Sequence, residues 1–156
     1  NYLKQGFEKI SGFLKNADDD ILNQEEASLV TGISYGKEDE LLKALDEKIG
    51  GIVVMTKGHE GVVATDGKNI YKAGIFKEKA IVDRTGAGDA FGSGFVSVLA
   101  KNSKPPFSPE IIREAIRFGS ANGTTVVEVV GAQPGILKSE EYEKDPRWQD
   151  FEINVV

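Results

Sequence analysis

The sequence predicts an α/β layered domain with a largely parallel sheet, and three observations carry that prediction. Segments with strand character alternate with segments of helical periodicity, the pattern of a sheet covered by helices. Ile52 to Met55 is a short continuous apolar run rich in β-branched residues, which suits a strand buried on both faces. Polar clusters at Asn23, Thr56 and Asp83 each follow a strand-like segment, and ligands in such sheets sit at the carboxyl ends of the strands.

Each element has its own local reason. Leu3, Phe7, Ile10 and Leu14 recur at helical spacing and predict an opening helix with one apolar face. Asn16 to Asp20 reads as an acidic turn, Ile21-Leu22 as a short strand, and Gln24 to Val30 as a short helix stopped by Thr31-Gly32. Leu41, Leu42, Leu45 and Ile49 mark a helix ended by Gly50-Gly51. Val62 to Thr65 and Asn69 to Tyr71 flank Asp66-Gly67-Lys68 and predict a β-hairpin. Ile81-Val82 reads as a further strand, and Asp89 to Ala100 as a helix with small residues on one side. Ser108-Pro109-Glu110 is a helix start, with a capping hydroxyl followed by proline at the first helical position. That helix carries Ile111, Ile112, Ala115, Ile116 and Phe118, and a last apolar segment runs from Thr124 to Val130. The tail from Lys138 is charged and holds the single Trp148.

Composition narrows the function. The 156 residues hold 19 Lys and Arg against 25 Asp and Glu, a formal net charge of −6. That balance argues against general nucleic-acid binding, which needs a basic face. No apolar run approaches the roughly 18 residues that span a bilayer. The chain has no cysteine, so neither a disulfide framework nor a thiolate metal site is available, and a reducing, cytoplasmic setting fits. The single histidine, His59, is the one candidate for any histidine-based chemistry. The only methionine is Met55, and no initiator opens the chain, which reads as a piece of a longer protein.

The cluster richest in chemistry is Asp83-Arg84-Thr85-Gly86-Ala87-Gly88-Asp89-Ala90-Phe91. A strand would run into a two-glycine turn that opens a helix. Gly86 and Gly88 permit positive φ and close backbone approach. Their N–H groups, with those of Ala87 and Asp89, could form an anion-binding nest at a helix N-terminus. A carboxylate at that same end repels phosphate unless it has a task. The task that fits Asp89 is general base, taking the proton of an alcohol that attacks a bound γ-phosphate. The alternative is an Asp in the first turn of a helix after a common Gly turn.

This run resembles the second signature of the PfkB, or ribokinase-like, sugar kinase family, Asp-Thr-Thr-Gly-Ala-Gly-Asp-x-Phe, with Arg84 at a variable position. Other stretches match in order. Asn23-Gln24-Glu25-Glu26 is similar to the family's Asn-x-x-Glu motif and is followed by Leu29-Val30-Thr31-Gly32. Val54 to Gly61 is similar to its strand and Thr-x-Gly-x-x-Gly turn, and Val126 to Gly135 to its C-terminal loop with Gly-Ala-Gln-Pro. The resemblance implies a three-layer α/β/α ribokinase-like fold and ATP-dependent transfer to a sugar hydroxyl. It covers the C-terminal, nucleotide-binding half of such a domain over residues 1–156, without the sugar-binding half and the lid.

Carried over residue by residue, the resemblance implies Asp89 as catalytic base and Gly86, Ala87 and Gly88 as the anion hole. It implies ATP contacts from Asn23, Thr56, Lys57, Gly58, His59, Glu60, Gly61, Gly88, Asp89 and Ser120. His59 is given no catalytic part. Glu26 would organise Mg²⁺ through water, an ion that keeps several waters of its own. Asp83, Thr85, Val126, Val129, Gly131 and Gly135 would surround a monovalent cation, K⁺, mostly through backbone carbonyls. Gly135 stands where the family often has Ser. Bland alternatives stay open: a solvated first-turn acid for Glu26, a polar turn for Thr56 to Gly61, helix packing for Ser120, and a turn former for Asp83.

The implied partners are ATP and a small-molecule sugar, with no nucleic acid and no membrane. A half-domain would expose an edge strand and apolar surface, so self-association into a homo-oligomer, or a missing N-terminal half, is expected. Two other functions remain: a non-catalytic nucleotide-binding or relic domain, and a nucleoside or pyridoxal-type kinase of the same fold.

Overall fold

A computed structural model describes residues 12, 14–102 and 104–156. They divide into two compact units, the described residues up to 72 with 154–156, and the described residues from 73 to 153. Of the predicted opening helix, Gly12 and Leu14 are helical, while Leu3, Phe7 and Ile10 lie outside the described residues.

The first unit is built on a five-stranded mixed sheet in the order β1-β2-β3-β4-β5. The strands are β1 (Asp19–Asn23), β2 (Ile52–Thr56), β3 (Val62–Thr65), β4 (Ile70–Ala73) and β5 (Ile153–Val155). The expected parallel pairing joins β1 to β2, with Asn23 opposite Thr56 at their carboxyl ends. β3 returns antiparallel to β2. Ile52 to Met55 of β2 are all buried, as the apolar run predicts. Asp19 and Asp20, read as turn residues, lie in β1.

Two helices follow β1. Helix α1 (Gln24–Thr31) opens on a capping box, in which Asn23 Oδ1 accepts from the Glu26 N–H at 2.8 Å and Glu26 Oε2 accepts from the Asn23 N–H at 2.9 Å. It closes on Gly32 at φ 76°, a left-handed cap whose N–H donates to the Ser28 carbonyl. Helix α2 (Glu38–Asp46) buries Leu41, Leu42 and Leu45. Ile49, expected on that helix, lies past its end and still reaches the core with Leu22, Ala27, Val30, Val53, Met55 and Val63. The β3–β4 hairpin is held by Asp66, whose Oδ1 accepts the N–H groups of Lys68 and Asn69 at 2.9 and 2.7 Å. Asn69 therefore belongs to the turn, and the strand begins at Ile70.

The second unit is helical. Helix α3 (Ala87–Lys101) packs on helix α4 (Pro109–Val127), and a short α5 (Ser139–Lys144) follows. Ser108 caps α4 with Pro109 behind it, as the sequence predicts. The predicted apolar segment from Thr124 is the end of α4 rather than a separate element. The small residues let the two backbones approach closely. A Cβ at Gly94 would lie 3.0 Å from the Gly119 Cα, one at Gly119 2.9 Å from the Phe91 carbonyl oxygen, and one at Gly123 3.2 Å from the Ala87 carbonyl oxygen.

Two features of this unit escape sequence patterning. Ile81-Val82, predicted as a strand, is irregular and half exposed. The N–H groups of Val82 and Asp83 converge on the Val127 carbonyl at 2.9 and 3.2 Å. They serve a carbonyl at the helix end, where no intrahelical donor is available, instead of a strand ladder. The charged tail hides aromatic residues: Trp148 and Tyr142 are buried with Phe76, Phe118 and Ala121. Trp148 meets Phe76 edge-on at 5.0 Å, and the Arg147 guanidinium lies 4.3 Å over its ring. Arg147 pairs with Glu128 at the end of α4 and donates to the Lys77 carbonyl at 2.7 Å.

The helix seam predicts that Gly119→Ala destabilises the fold by about 1–3 kcal/mol through overpacking against Phe91. Urea unfolding of the variant beside the unsubstituted protein measures this. Equal stability would show that the seam can open at no cost.

Candidate active site

The site candidates fall into two groups, one in each unit. In the first, the parallel register of β1 and β2 sets two polar segments side by side at the carboxyl ends of neighbouring strands. One is the Asn23–Glu26 capping box, which opens α1. The box uses one Glu26 carboxylate oxygen and leaves Oε1 free of it. The other is the Thr56–Gly61 turn. The Lys57 N–H donates to the Gly61 carbonyl at 2.8 Å, and Gly58 to Glu60 form one turn of 3₁₀ helix. Gly61 takes φ 93°, a conformation that favours glycine. His59 and Glu60 are exposed.

Lys57, expected among the ATP contacts, has its ammonium paired within the first unit. Its Nζ lies 2.7 Å from Glu38 Oε2, and Lys72 Nζ lies 3.0 Å from Glu38 Oε1. Burial acts to raise the Glu38 carboxyl, but the hydrogen bonds and charges of Lys57 and Lys72 outweigh it and hold the group below its usual value. The Lys57 side chain is committed to α2, so its contribution to the turn is its backbone. Glu38 carried no motif, and the pairing of residues 19 apart was invisible without the fold.

In the second unit, Gly86 is the N-cap of α3 at φ 81°, with no side-chain cap bond. A Cβ there would collide with Ala132, so the turn needs glycine for space as well as for conformation. The Ala87 N–H is engaged with the Arg84 carbonyl at 3.3 Å, which removes it from the expected nest of free donors. Gly88 and Asp89 occupy the first turn, where N–H groups lack intrahelical acceptors, and nothing among the described residues caps them. Asp89 is exposed, and its carboxylate has no hydrogen bond or ion pair among the described residues. The free ends of α1 and α4 contrast with this, each capped by its own side chain.

Asp83 ties this turn to the loop after α4. Its Oδ1 accepts the Thr85 N–H at 2.9 Å and its Oδ2 the Gly131 N–H at 3.2 Å. The Thr85 backbone and side chain, then the Gly131 N–H, hold the Asp83 carboxyl below its usual value. Of the other residues expected around a monovalent cation, Val126 sits in the last turn of α4, where its carbonyl receives the Val129 N–H at 3.3 Å. Gly135 is wedged at α4, where a Cβ would lie 2.5 Å from the Thr125 carbonyl oxygen. The loss of a family Ser there is thus matched by a packing need for glycine. Ser120 is buried on α4, which supports its helix-packing alternative. Among the described residues, no group of three or more His, Cys, Asp or Glu side chains gathers to hold a metal directly. No helix among them is long and apolar enough to cross a membrane.

A lowered carboxyl fixes the sign of a pH effect. The Asp83 tie is complete above the ordinary carboxyl value of 3.8 and is lost as pH falls through the lower folded value. The amide resonances of Thr85 and Gly131 should therefore shift together, with a midpoint below that of a free Asp. Asp83→Asn should abolish the common transition, and independent titration of the two amides would break the proposed link.

The comparisons with known proteins cover most of this chain. Residues 4–139 match the family described as pfkB family carbohydrate kinase. The chain is 33% identical over 123 residues to a ribokinase of Haemophilus influenzae, covering 76% of this chain and 37% of that protein. It is 39% identical over 92 residues to an adenosine kinase of Schizosaccharomyces pombe, covering 58% of this chain and 25% of that one. Among solved structures, Arabidopsis thaliana ribokinase complexed with ribose and ATP superposes with a TM-score of 0.74 at 23% identity, covering 86% of this chain and 42% of that one. The chain thus spans little more than a third of the length of the curated relatives it matches. The fold is the α/β ribokinase type, and the chain belongs to the pfkB family of carbohydrate kinases.

Proposed function

We propose that residues 1–156 form the nucleotide-binding and catalytic half of a PfkB-type kinase domain that transfers a phosphoryl group from ATP to a sugar hydroxyl. The observation that carries this reading is the start of α3, a helix N-terminus behind Gly86 with no side-chain cap, beside an exposed Asp89 carboxylate that has no partner among the described residues. In the transfer, Asp89 accepts the proton of the attacking hydroxyl. The hydroxyl oxygen bonds to the γ-phosphorus, and the bond from that phosphorus to the β–γ bridging oxygen breaks, releasing ADP. The Gly86–Gly88 turn supplies preorganised backbone N–H groups and the positive end of the helix dipole to the charge on the moving phosphoryl group. Ala87 contributes by shaping that turn, its own N–H being spent on Arg84.

Asn23 and the segment Thr56 to Gly61 are assigned to ATP, with Lys57 acting through its main chain. The Glu26 oxygen outside the capping box suits a hydrated Mg²⁺, since one carboxylate and waters make the sparse ligand set that this ion accepts. Mg²⁺ would neutralise phosphate charge there. Asp83, Thr85, Val129, Gly131 and Gly135, with the Val126 carbonyl, lie in the two segments that the Asp83 hydrogen bonds join, which suits a structural K⁺ ordering the anion hole. ATP, Mg²⁺ and a small hydroxyl-bearing acceptor are the partners, in a cytoplasmic enzyme. A nucleoside acceptor is the second reading, favoured by the likeness to the S. pombe adenosine kinase.

The test is ADP release by the full-length protein carrying this chain, over a panel of sugars and nucleosides. Asp89→Asn should lower kcat by about 10²–10⁴-fold, the usual contribution of a general base. Activity retained in that variant would refute Asp89 as the base. Mg-ATP binding by calorimetry with no turnover on any acceptor would favour the non-catalytic reading. Residues 1–156 alone should show little or no sugar phosphorylation, because positioning of the acceptor supplies much of the rate.

A further inference from the structure

Asn122 is a buried polar residue in the middle of α4, only 2% exposed, on no motif of the family pattern. Both ends of its amide are used. Nδ2 donates to the Ala90 carbonyl of α3 at 2.6 Å, and Oδ1 accepts the Leu137 N–H at 2.8 Å. Ser93 Oγ donates to the same Ala90 carbonyl at 3.0 Å and lies 3.4 Å from Asn122 Nδ2. Ala90 directly follows Asp89, and Leu137 lies two residues beyond Gly135. A single side chain thus joins the first turn of α3 to the end of the loop over 131–137.

We infer that Asn122 is a positioning residue that fixes the α3 N-terminal turn, with Asp89 and the Gly86–Gly88 donors, against the loop after α4; this rests on the kinase reading above. The geometry leaves little else for it to do. A purely packing role would be filled by an apolar side chain without the cost of desolvating an amide. Gly94 on one side and Gly119 and Gly123 on the other already bring the helices into contact, but an apolar seam permits sliding along its length. A hydrogen bond to one carbonyl specifies one register. Phosphoryl transfer depends on alignment, and small displacements of the base or donors are expensive in rate.

Two variants separate the arms. Asn122→Asp keeps the size and the acceptor for Leu137 but replaces the donor to Ala90 with an oxygen. Asn122→Ala removes both arms. Each is assayed in the full-length protein, at a temperature where circular dichroism shows it folded, with kcat and the KM for ATP measured separately. The expected result is a fall in kcat of about 10- to 100-fold for Asn122→Asp, the scale of a small misalignment. The KM for ATP should stay within about threefold, as for an interaction that acts in the transition state. An unchanged kcat per folded molecule overturns the inference, including the case where activity falls only with the folded fraction. Should Asn122→Ala not fold, Asn122→Asp decides alone. Absence of phosphotransfer by the unsubstituted protein on every acceptor overturns the kinase reading, and this inference with it, and is distinguishable because it needs no variant.

Discussion

The close crossing of α3 on α4 is the constraint on which the second unit depends. Glycines 94, 119 and 123 remove the side chains that would hold the two backbones apart, and the chain accepts their entropic cost in helix interiors. What this approach provides is position. The first turn of α3 carries Asp89 and the Gly86–Gly88 turn, and it is set by the helix against which it lies. Asn122 converts apolar contact into one defined register. The Gly86 φ of 81° and its contact with Ala132 extend the same constraint into the loop after α4.

Electrostatics complete that arrangement with few groups. Two opposite uses of carboxylate occur within seven residues. Asp83 has both oxygens occupied by backbone N–H groups and is held ionised by them, so it acts as a fixed bracket. Asp89 is exposed in the first turn of α3 and has no partner among the described residues. One carboxylate of the pair is spent on structural bonds, and the other is left free of them among the described residues. Farther along, the Glu128–Arg147 pair locks the end of α4 to the tail, with the Arg147 guanidinium stacked over Trp148.

In the first unit the parallel pairing of β1 with β2 has the same positioning effect by different means. The register brings Asn23 opposite Thr56, so a helix cap and a tight turn meet at one edge of the sheet. Lys57 shows how a motif position can be diverted: its ammonium answers Glu38 of α2, and the turn keeps only its main chain.

Local chemistry was legible in the sequence. The apolar run of β2, the Ser108 cap, the Gly32 stop, the Asp66 hairpin and the glycine turn before α3 each follow from the residue and its immediate neighbours. So did the family, because its motifs are runs of adjacent residues. What was not legible shares one cause. Ile81-Val82 has strand composition, but a strand is defined by its partner, and here the N–H groups find the Val127 carbonyl instead. Trp148 sits in a charged stretch and is buried because Phe76, Phe118 and Tyr142 come to it from across the chain. Asn122 and Glu38 belong to no motif, and only their distant partners give them meaning. The sequence by itself determined most of the strands and helices up to the end of α4 and which groups are chemically able to act. The tertiary structure alone decided which of those groups are spent on holding the fold and which are left free, because hydrogen bonds and ion pairs between distant segments depend on distances that no local pattern encodes.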